Sequence, residues 1–278
     1  MKQFTDQMKR TVSMPVWPPR RIVSLVPSQT EFLASLGLDV EVVGITKFCI
    51  HPSQWFQEKK RVGGTKTLHL EAISALRPDL IIGNKEENDA AQIAALWQEY
   101  PVWMSDILTL EDALDMMTQI GAITGKPEQA EDIRAAVEQD FAGLTPILPP
   151  KKAAYLIWRK PYMVAASDTF IQNMLQKAGF QNVFEHLSRY PAITVEQLQA
   201  TDPEVLLLSS EPYPFQEKHM QTLQEICPNA RIALVNGEMF SWYGSRLLFS
   251  VSYFKQLQNA LALPGSGQDF IHFPNPGS

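Results

Sequence analysis

The 278-residue sequence predicts an α/β protein built as two doubly wound α/β lobes joined by a single long backbone helix. Three observations carry that expectation. Short apolar runs alternate with helical segments over short connections, the rhythm of a parallel sheet with crossover helices. The rhythm stops near Gly125 and restarts after Pro150. Between the halves lies a strongly helical stretch, Pro127 to Leu144, with a proline-rich exit at Pro146, Pro149 and Pro150.

The segments follow in chain order. Residues 1–20 read as a loose N-terminal arm, polar at first and stiffened by Pro15, Pro18 and Pro19. Arg21 to Val26 is a short apolar run that suits a buried parallel strand and stops at Pro27. Ser28 reads as an N-cap, with Glu31 completing a capping box ahead of Phe32 and Leu33, and Gly37 closes that helix. Val42–Ile45, Leu80–Ile82 and Val102–Met104 are further strands. Helices are expected over Leu70–Leu76, Ala90–Tyr100 and Leu110–Thr124. These elements make an N-terminal lobe over 21–125.

Residues 126–150 form the link. Pro127 is a natural first helical residue, because its fixed φ suits the helix and its missing N–H costs nothing there. Ala130, Ile133, Val137, Phe141 and Leu144 form a narrow apolar stripe, and Arg134 stands between Glu131 and Glu138 on the solvent side. Such a helix is a rod of roughly 27 Å. An ordinary surface helix of one larger domain is the competing reading; the restart of the strand pattern favours a spacer.

The C-terminal lobe spans 151–278. Ala153–Trp158, Val205–Leu208 and Ile232–Val235 are its strands, with Tyr162–Ala165 extended beside the first. Thr169–Ala178, Val195–Ala200, Phe215–Ile226 and Ser245–Leu261 are its helices. One internal echo stands out. Arg77-Pro78-Asp79 leads into Leu80–Ile82 as Asp202-Pro203-Glu204 leads into Val205–Leu208.

Composition excludes several classes. Hydrophobic residues at 45 % and charged residues at 19 % describe an ordinary globular chain. A net charge of −6 and a pI near 5.4 exclude a nucleic-acid partner, since no basic tract neutralises phosphate. Lys59-Lys60-Arg61 reads as a solvated loop. No apolar run reaches the eighteen or so residues of a membrane helix, so no membrane insertion is expected. The first twenty residues lack the apolar core of a secretory signal. As the sequence stands, the expectation is cytoplasmic, or periplasmic if a leader has been removed. Two distant cysteines, Cys49 and Cys227, are expected as free thiols.

Ligands of open α/β sheets gather at the carboxyl ends of the strands. Here those ends lead to Lys47-Phe48-Cys49-Ile50-His51, to Asn84 through Asn88, to Arg159 and Tyr162, to Ser209 through Tyr213, and to Glu238 through Tyr243. Aromatic rings with a few placed charges describe a binding site for a large planar ligand or metal chelate. The candidate contacts are Phe48, Cys49, His51, Lys85, Trp158, Arg159, Tyr213, Trp242, Tyr243 and Arg246. Cys49 and His51 lie two apart, so in an extended loop both reach one metal ion; a buried Cys beside a satisfied His is the plainer reading. No catalytic residue is assigned. Gly63-Gly64-Thr65-Lys66-Thr67 breaks the phosphate-loop order, and Glu86-Glu87 reads as a solvated pair.

These stretches resemble the substrate-binding proteins of ABC importers that share a helical backbone, the class of cobalamin, haem and ferric-siderophore receptors. The resemblance covers most of residues 21–262. It rests on Arg21 through Glu31, Val43-Gly44-Ile45, Leu70 through Ile82, Thr169 through Gln172, Gly179 through Phe184, and Ser245 through Leu248. The cobalamin branch looks nearest. The resemblance implies a monomeric receptor, not an enzyme and without a catalytic cofactor. It implies a cobalamin-like corrinoid held in a cleft between two lobes, and an ABC permease as partner, with Glu71 docking on it. Phe48, His51, Trp242 and Tyr243 fall near positions that contact the corrin ring. Two alternatives stand beside this. One is a ferric-siderophore or haem receptor, for which Arg159, Arg189 and Arg246 would suit an anionic ligand. The other is a cytoplasmic enzyme or chaperone acting on a metal chelate through Cys49 and His51.

Overall fold

A computed structural model describes residues 1–145, 148–262 and the backbone of 271–272. The chain divides into two compact units. The first holds residues 1–107, 111–138 and 243–246; the second holds 108–110, 139–242 and the described residues from Leu247 onward. Among the described residues no helix is long and apolar enough to cross a membrane.

In the first unit, β1 (Lys2–Thr5) and β2 (Thr11–Met14) precede β3 (Ile22–Ser24), α1 (Pro27–Ser35) and β4 (Val42–Ile45). Then come α2 (Ser53–Glu58), β5 (Lys60–Arg61), α3 (Leu70–Ala75), β6 (Leu80–Asn84), α4 (Ala90–Trp97), β7 (Val102–Ser105), α5 (Leu110–Thr124) and α6 (Pro127–Ala142). β5-β4-β3-β6-β7 form a five-stranded sheet whose neighbours are all parallel. Ile22, Val23, Val42, Ile45, Leu80, Ile81, Ile82, Val102 and Trp103 are fully buried in it, as expected of strands covered on both faces.

Two readings are corrected here. The first residues are an antiparallel hairpin, β1 paired with β2, rather than a loose arm. Short strands with mixed polarity carry little periodicity, so the signal lay in side chains that dock. The Asp6 carboxylate, wholly buried, accepts from Arg10 at 2.7–2.9 Å, and the Arg10 guanidinium lies 3.1 Å from the Trp97 ring centre. Gln7 donates to the Asp112 carbonyl at 2.8 Å and accepts from the Asp106 N–H at 3.1 Å. The second correction concerns α1. It starts at Pro27, with Val26 as cap residue and no side-chain cap. A proline already fits the first helical position, so Ser28 is not needed as N-cap and is buried inside the first turn.

The α6 helix carries its expected features: Ala130 and Val137 are fully buried, and Arg134 bonds Glu131 at 2.7 Å and Glu138 at 3.1 Å. The division between the units falls inside this helix, after Glu138. Where α5 passes the start of α6, a Cβ on Gly121 would collide with that of Ala130. Glycine permits that approach.

The second unit contains β8 (Lys151–Trp158), β9 (Tyr162–Val164), α7 (Phe170–Lys177), β10 (Phe180–Asn182), β11 (Ala192–Ile193) and α8 (Val195–Ala200). β12 (Val205–Ser209), α9 (Glu217–Ile226), β13 (Arg231–Val235), α10 (Glu238–Ser241), α11 (Leu247–Ala262) and β14 (Ile271–His272) complete it. The sheet is seven-stranded, in the order β11-β9-β8-β12-β13-β14, with β10 also on β8. β8, β10, β12, β13 and β14 pair in parallel, whereas β9 and β11 are antiparallel additions.

The internal echo has a geometric counterpart. The Asp79 carboxylate accepts the N–H groups of Arg20 and Arg21 at 2.9–3.1 Å, and the Asp79 N–H donates to the Arg21 carbonyl at 2.9 Å. Glu204 treats Lys152 alike, accepting its N–H and donating to its carbonyl, both at 2.9 Å. In each unit the acidic residue ties its strand to the start of the neighbouring one. Arg77 (φ 46°) and Asp202 (φ 40°) take the same left-handed turn before the proline.

Candidate functional site

The carboxyl ends of the first sheet are closed by an internal polar network. Ser24, Ser28, Gln29, Thr30, Asn84, Asn88 and Ser105 are buried there. Ser105 Oγ accepts from Gln29 at 2.6 Å and from Asn84 Nδ2 at 2.9 Å. Asn84 Oδ1 accepts the N–H groups of Glu86 and Glu87, which shapes that turn and leaves Lys85 exposed, paired with Asp106 at 2.6 Å. Tyr243 joins the same unit, buried; burial pushes its phenol up. Arg246 is 8 % exposed and donates to both Glu31 oxygens, at 2.6 and 2.9 Å. α11 starts at Leu247, two residues later than the expected Ser245, because Ser245 and Arg246 belong to the preceding turn.

The loop after β4 alternates sharply. Phe48 is 51 % exposed and Ile50 45 %, while Cys49 between them is fully buried. The Cys49 Sγ lies 3.1 Å from Thr30 Oγ1 and 3.2 Å from Thr46 Oγ1, and burial raises its pKa despite those bonds. A protonated, enclosed thiol is neither a nucleophile nor an open metal ligand. His51 is half-buried on the same loop. Among the described residues no group of three or more His, Cys, Asp or Glu could hold a metal ion. Residues 63–68 form a tight turn, with Gly63 at φ 105° bridged to Leu68. Glu71 is exposed in the first turn of α3.

The second unit assembles an open aromatic shelf. Trp158, last residue of β8, is 40 % exposed and meets Tyr213 edge-on with ring centres 5.5 Å apart. Tyr213 comes from the loop after β12, which the Tyr213 N–H ties to the Ile157 carbonyl at 3.3 Å. Arg159 lies beside the hydroxyls of Tyr213 and Tyr162, and these two phenols raise its pKa further. Tyr162 and His219, neither among the expected ligand contacts, both sit in this cluster. Tyr213 lies 4.9 Å from Phe215 and 5.5 Å from His219, centre to centre.

Trp242 has a different place. It is 7 % exposed, and its Nε1 donates to Glu211 Oε1 at 2.9 Å, the same oxygen that accepts from Ser241 Oγ at 2.7 Å. Its ring is a buried support, whereas Trp158 is the open indole. Cys227 is also buried, and burial with nearby Asp202 pushes its thiol up to about 11.

Comparison with known proteins places the chain among relatives. The pattern of the "Periplasmic binding protein" family matches residues 22–232. A vitamin B12-binding protein of Pectobacterium carotovorum subsp. carotovorum (strain PC1) is 25 % identical over 255 residues, 89 % of this chain and 91 % of that protein. The crystal structure of the periplasmic vitamin B12 binding protein BtuF of Vibrio cholerae superposes with a TM-score of 0.73 at 22 % identity, covering 89 % of this chain and 99 % of that one. The periplasmic haem binding protein HutB of Vibrio cholerae gives 0.73 at 21 % identity, over 87 % and 99 %.

Proposed function

We propose that this chain, which belongs to the periplasmic binding protein family, binds a cobalamin-like corrinoid and carries no reaction of its own. The observation behind the reading is the open shelf of Trp158 and Tyr213 in a chain with vitamin B12-binding relatives of nearly its full length. The exposed indole supplies a face for a large ring system. Arg159 and the two tyrosine hydroxyls supply polar contacts for side groups at its edge. We read the protein as periplasmic and as the partner of an ABC permease, a reading its membership of the periplasmic binding protein family supports, with Glu71 as the candidate for docking.

Haem or a ferric siderophore is the second reading. Arg159 favours it, because a guanidinium beside the aromatic shelf is a ready partner for carboxylate groups. Calorimetric titration separates the readings. Cyanocobalamin binding with micromolar or tighter affinity, weakened about tenfold by Trp158→Ala, an effect of ~1.4 kcal/mol, is the expected result. No heat with cyanocobalamin up to ~100 µM beside saturable binding of haemin would overturn the corrinoid reading.

A further inference from the structure

His219 occupies an unusual position. It is 4 % exposed, three residues into the start of α9, where its Nδ1 accepts the backbone N–H of Gln216 at 3.0 Å. That is the reciprocal half of a capping box, with imidazole in the place normally taken by Glu or Gln. An Nδ1 that accepts carries no proton, so in the neutral ring the proton sits on Nε2. Nε2 lies 3.4 Å from the Tyr213 hydroxyl oxygen. The oxygen therefore accepts from His219, with the Arg159 cation beside it, which also cannot accept. One lone pair is committed to His219, and the hydroxyl's own proton must point elsewhere.

We propose that His219 is a positioning residue that makes Tyr213 an obligate hydrogen-bond donor to an acceptor group of the ligand, a carbonyl or carboxylate, beside Trp158, and that protonation of His219 dismantles this arrangement. The inference rests on the reading of the Trp158–Tyr213 shelf as part of the binding site. In the imidazolium both nitrogens are donors, so Nδ1–H would face the Gln216 N–H and the cap would break. The new charge would also meet two cations, Arg159 from the β8–β9 turn and Lys218 from its own helix; with burial they hold the ring below its ordinary value of 6.5. Tyr213 and Phe215, the rings packed on it at 5.5 and 5.8 Å, offer no counter-charge. Freed from its cap, the 211–216 loop would no longer fix Tyr213 against Trp158. The shelf thus binds at neutral pH and releases in acid.

The test combines one direct readout with a ligand readout. Ring ¹⁵N NMR of histidine-labelled protein at pH 7.5, with the signal missing in His219→Gln assigning the residue, is expected to show Nε2 protonated and Nδ1 bare. The opposite tautomer overturns the proposal. By calorimetry, cyanocobalamin, which does not titrate in this range, should bind the wild type at least tenfold more weakly at pH 5.0 than at pH 7.5. His219→Ala should bind weakly at both. His219→Gln, whose amide can accept from Gln216 and donate to Tyr213, should restore most of the lost affinity and flatten the pH profile. Equal acid weakening in wild type and His219→Gln overturns the proposal. Absence of cyanocobalamin binding at every pH overturns the corrinoid reading instead. The switch is then judged without ligand, by acrylamide quenching of Trp158 taken as the difference from Trp158→Phe. Quenching that rises on acidification in wild type but not in His219→Gln supports it, and quenching that ignores pH refutes it.

Discussion

The ion pair between Glu31 and Arg246 joins residues 215 apart in sequence, and its removal has a calculable cost. The Arg246 and Glu31 side chains are 10 % and 18 % exposed, and two charge-assisted bonds at 2.6 and 2.9 Å connect them. Stranding one partner of a fully buried pair costs about 3–5 kcal/mol. The residual hydration here lowers that, and about 2–3 kcal/mol is expected for Glu31→Gln or Arg246→Met alone. For a unit of this size that corresponds to a fall in Tm of roughly 5–10 °C. The double variant should cost less than the sum of the singles, since no uncompensated charge remains. Urea unfolding of the four proteins measures the cycle, and hydrogen exchange of α1 amides localises it. Additivity within about 0.5 kcal/mol, or single costs below that size, would refute the claim that this pair anchors the 243–246 segment.

Three other outcomes follow from packing and protonation. Gly121→Ala should destabilise by about 1–3 kcal/mol, because the new methyl meets Ala130 between two helices, and chemical denaturation reads the loss. Cys49 and Cys227, both buried with raised pKa values, should react with a thiol reagent far more slowly in the native protein than in urea; prompt native labelling of either would contradict the burial described. For His219 the folded pKa lies below the unfolded value, so the unfolded chain binds the extra proton first. Its contribution is therefore complete above about pH 6.5 and lost as pH falls, and His219→Gln should flatten the decline of stability between pH 6.5 and 5.

Much of the fold was legible because it follows local rules. Val42–Ile45, Leu110–Thr124 and Val195–Ala200 stand at their expected bounds, and the Pro127 helix ends two residues before Leu144. Apolar runs between breakers set these elements wherever neighbours merely reinforce the local pattern. The echo of Arg77-Pro78-Asp79 in Asp202-Pro203-Glu204 was visible too, though its meaning was not. That each carboxylate grips the first N–H groups of an adjoining strand depends on residues over fifty positions away.

The sequence by itself determined the class of protein: two parallel-sheet units divided at a helix, with aromatic and charged residues at the strand ends. Tertiary structure decided which of those residues face water. Trp158 and Trp242 are both strand-end or turn tryptophans, yet one is open and the other bonded beneath the surface to Glu211. Phe48, Cys49 and Ile50 are consecutive, yet only the middle one is enclosed, by Thr30 and Thr46. His219 carried no motif: Tyr213 and Gln216 are near it in sequence, but no local rule marks a histidine as the reciprocal cap of a helix, and Arg159 reaches the cluster from the separate β8–β9 turn. Periodicity records which side of an element meets the core, but exposure, tautomer and pairing at a strand end are fixed by neighbours that only folding supplies.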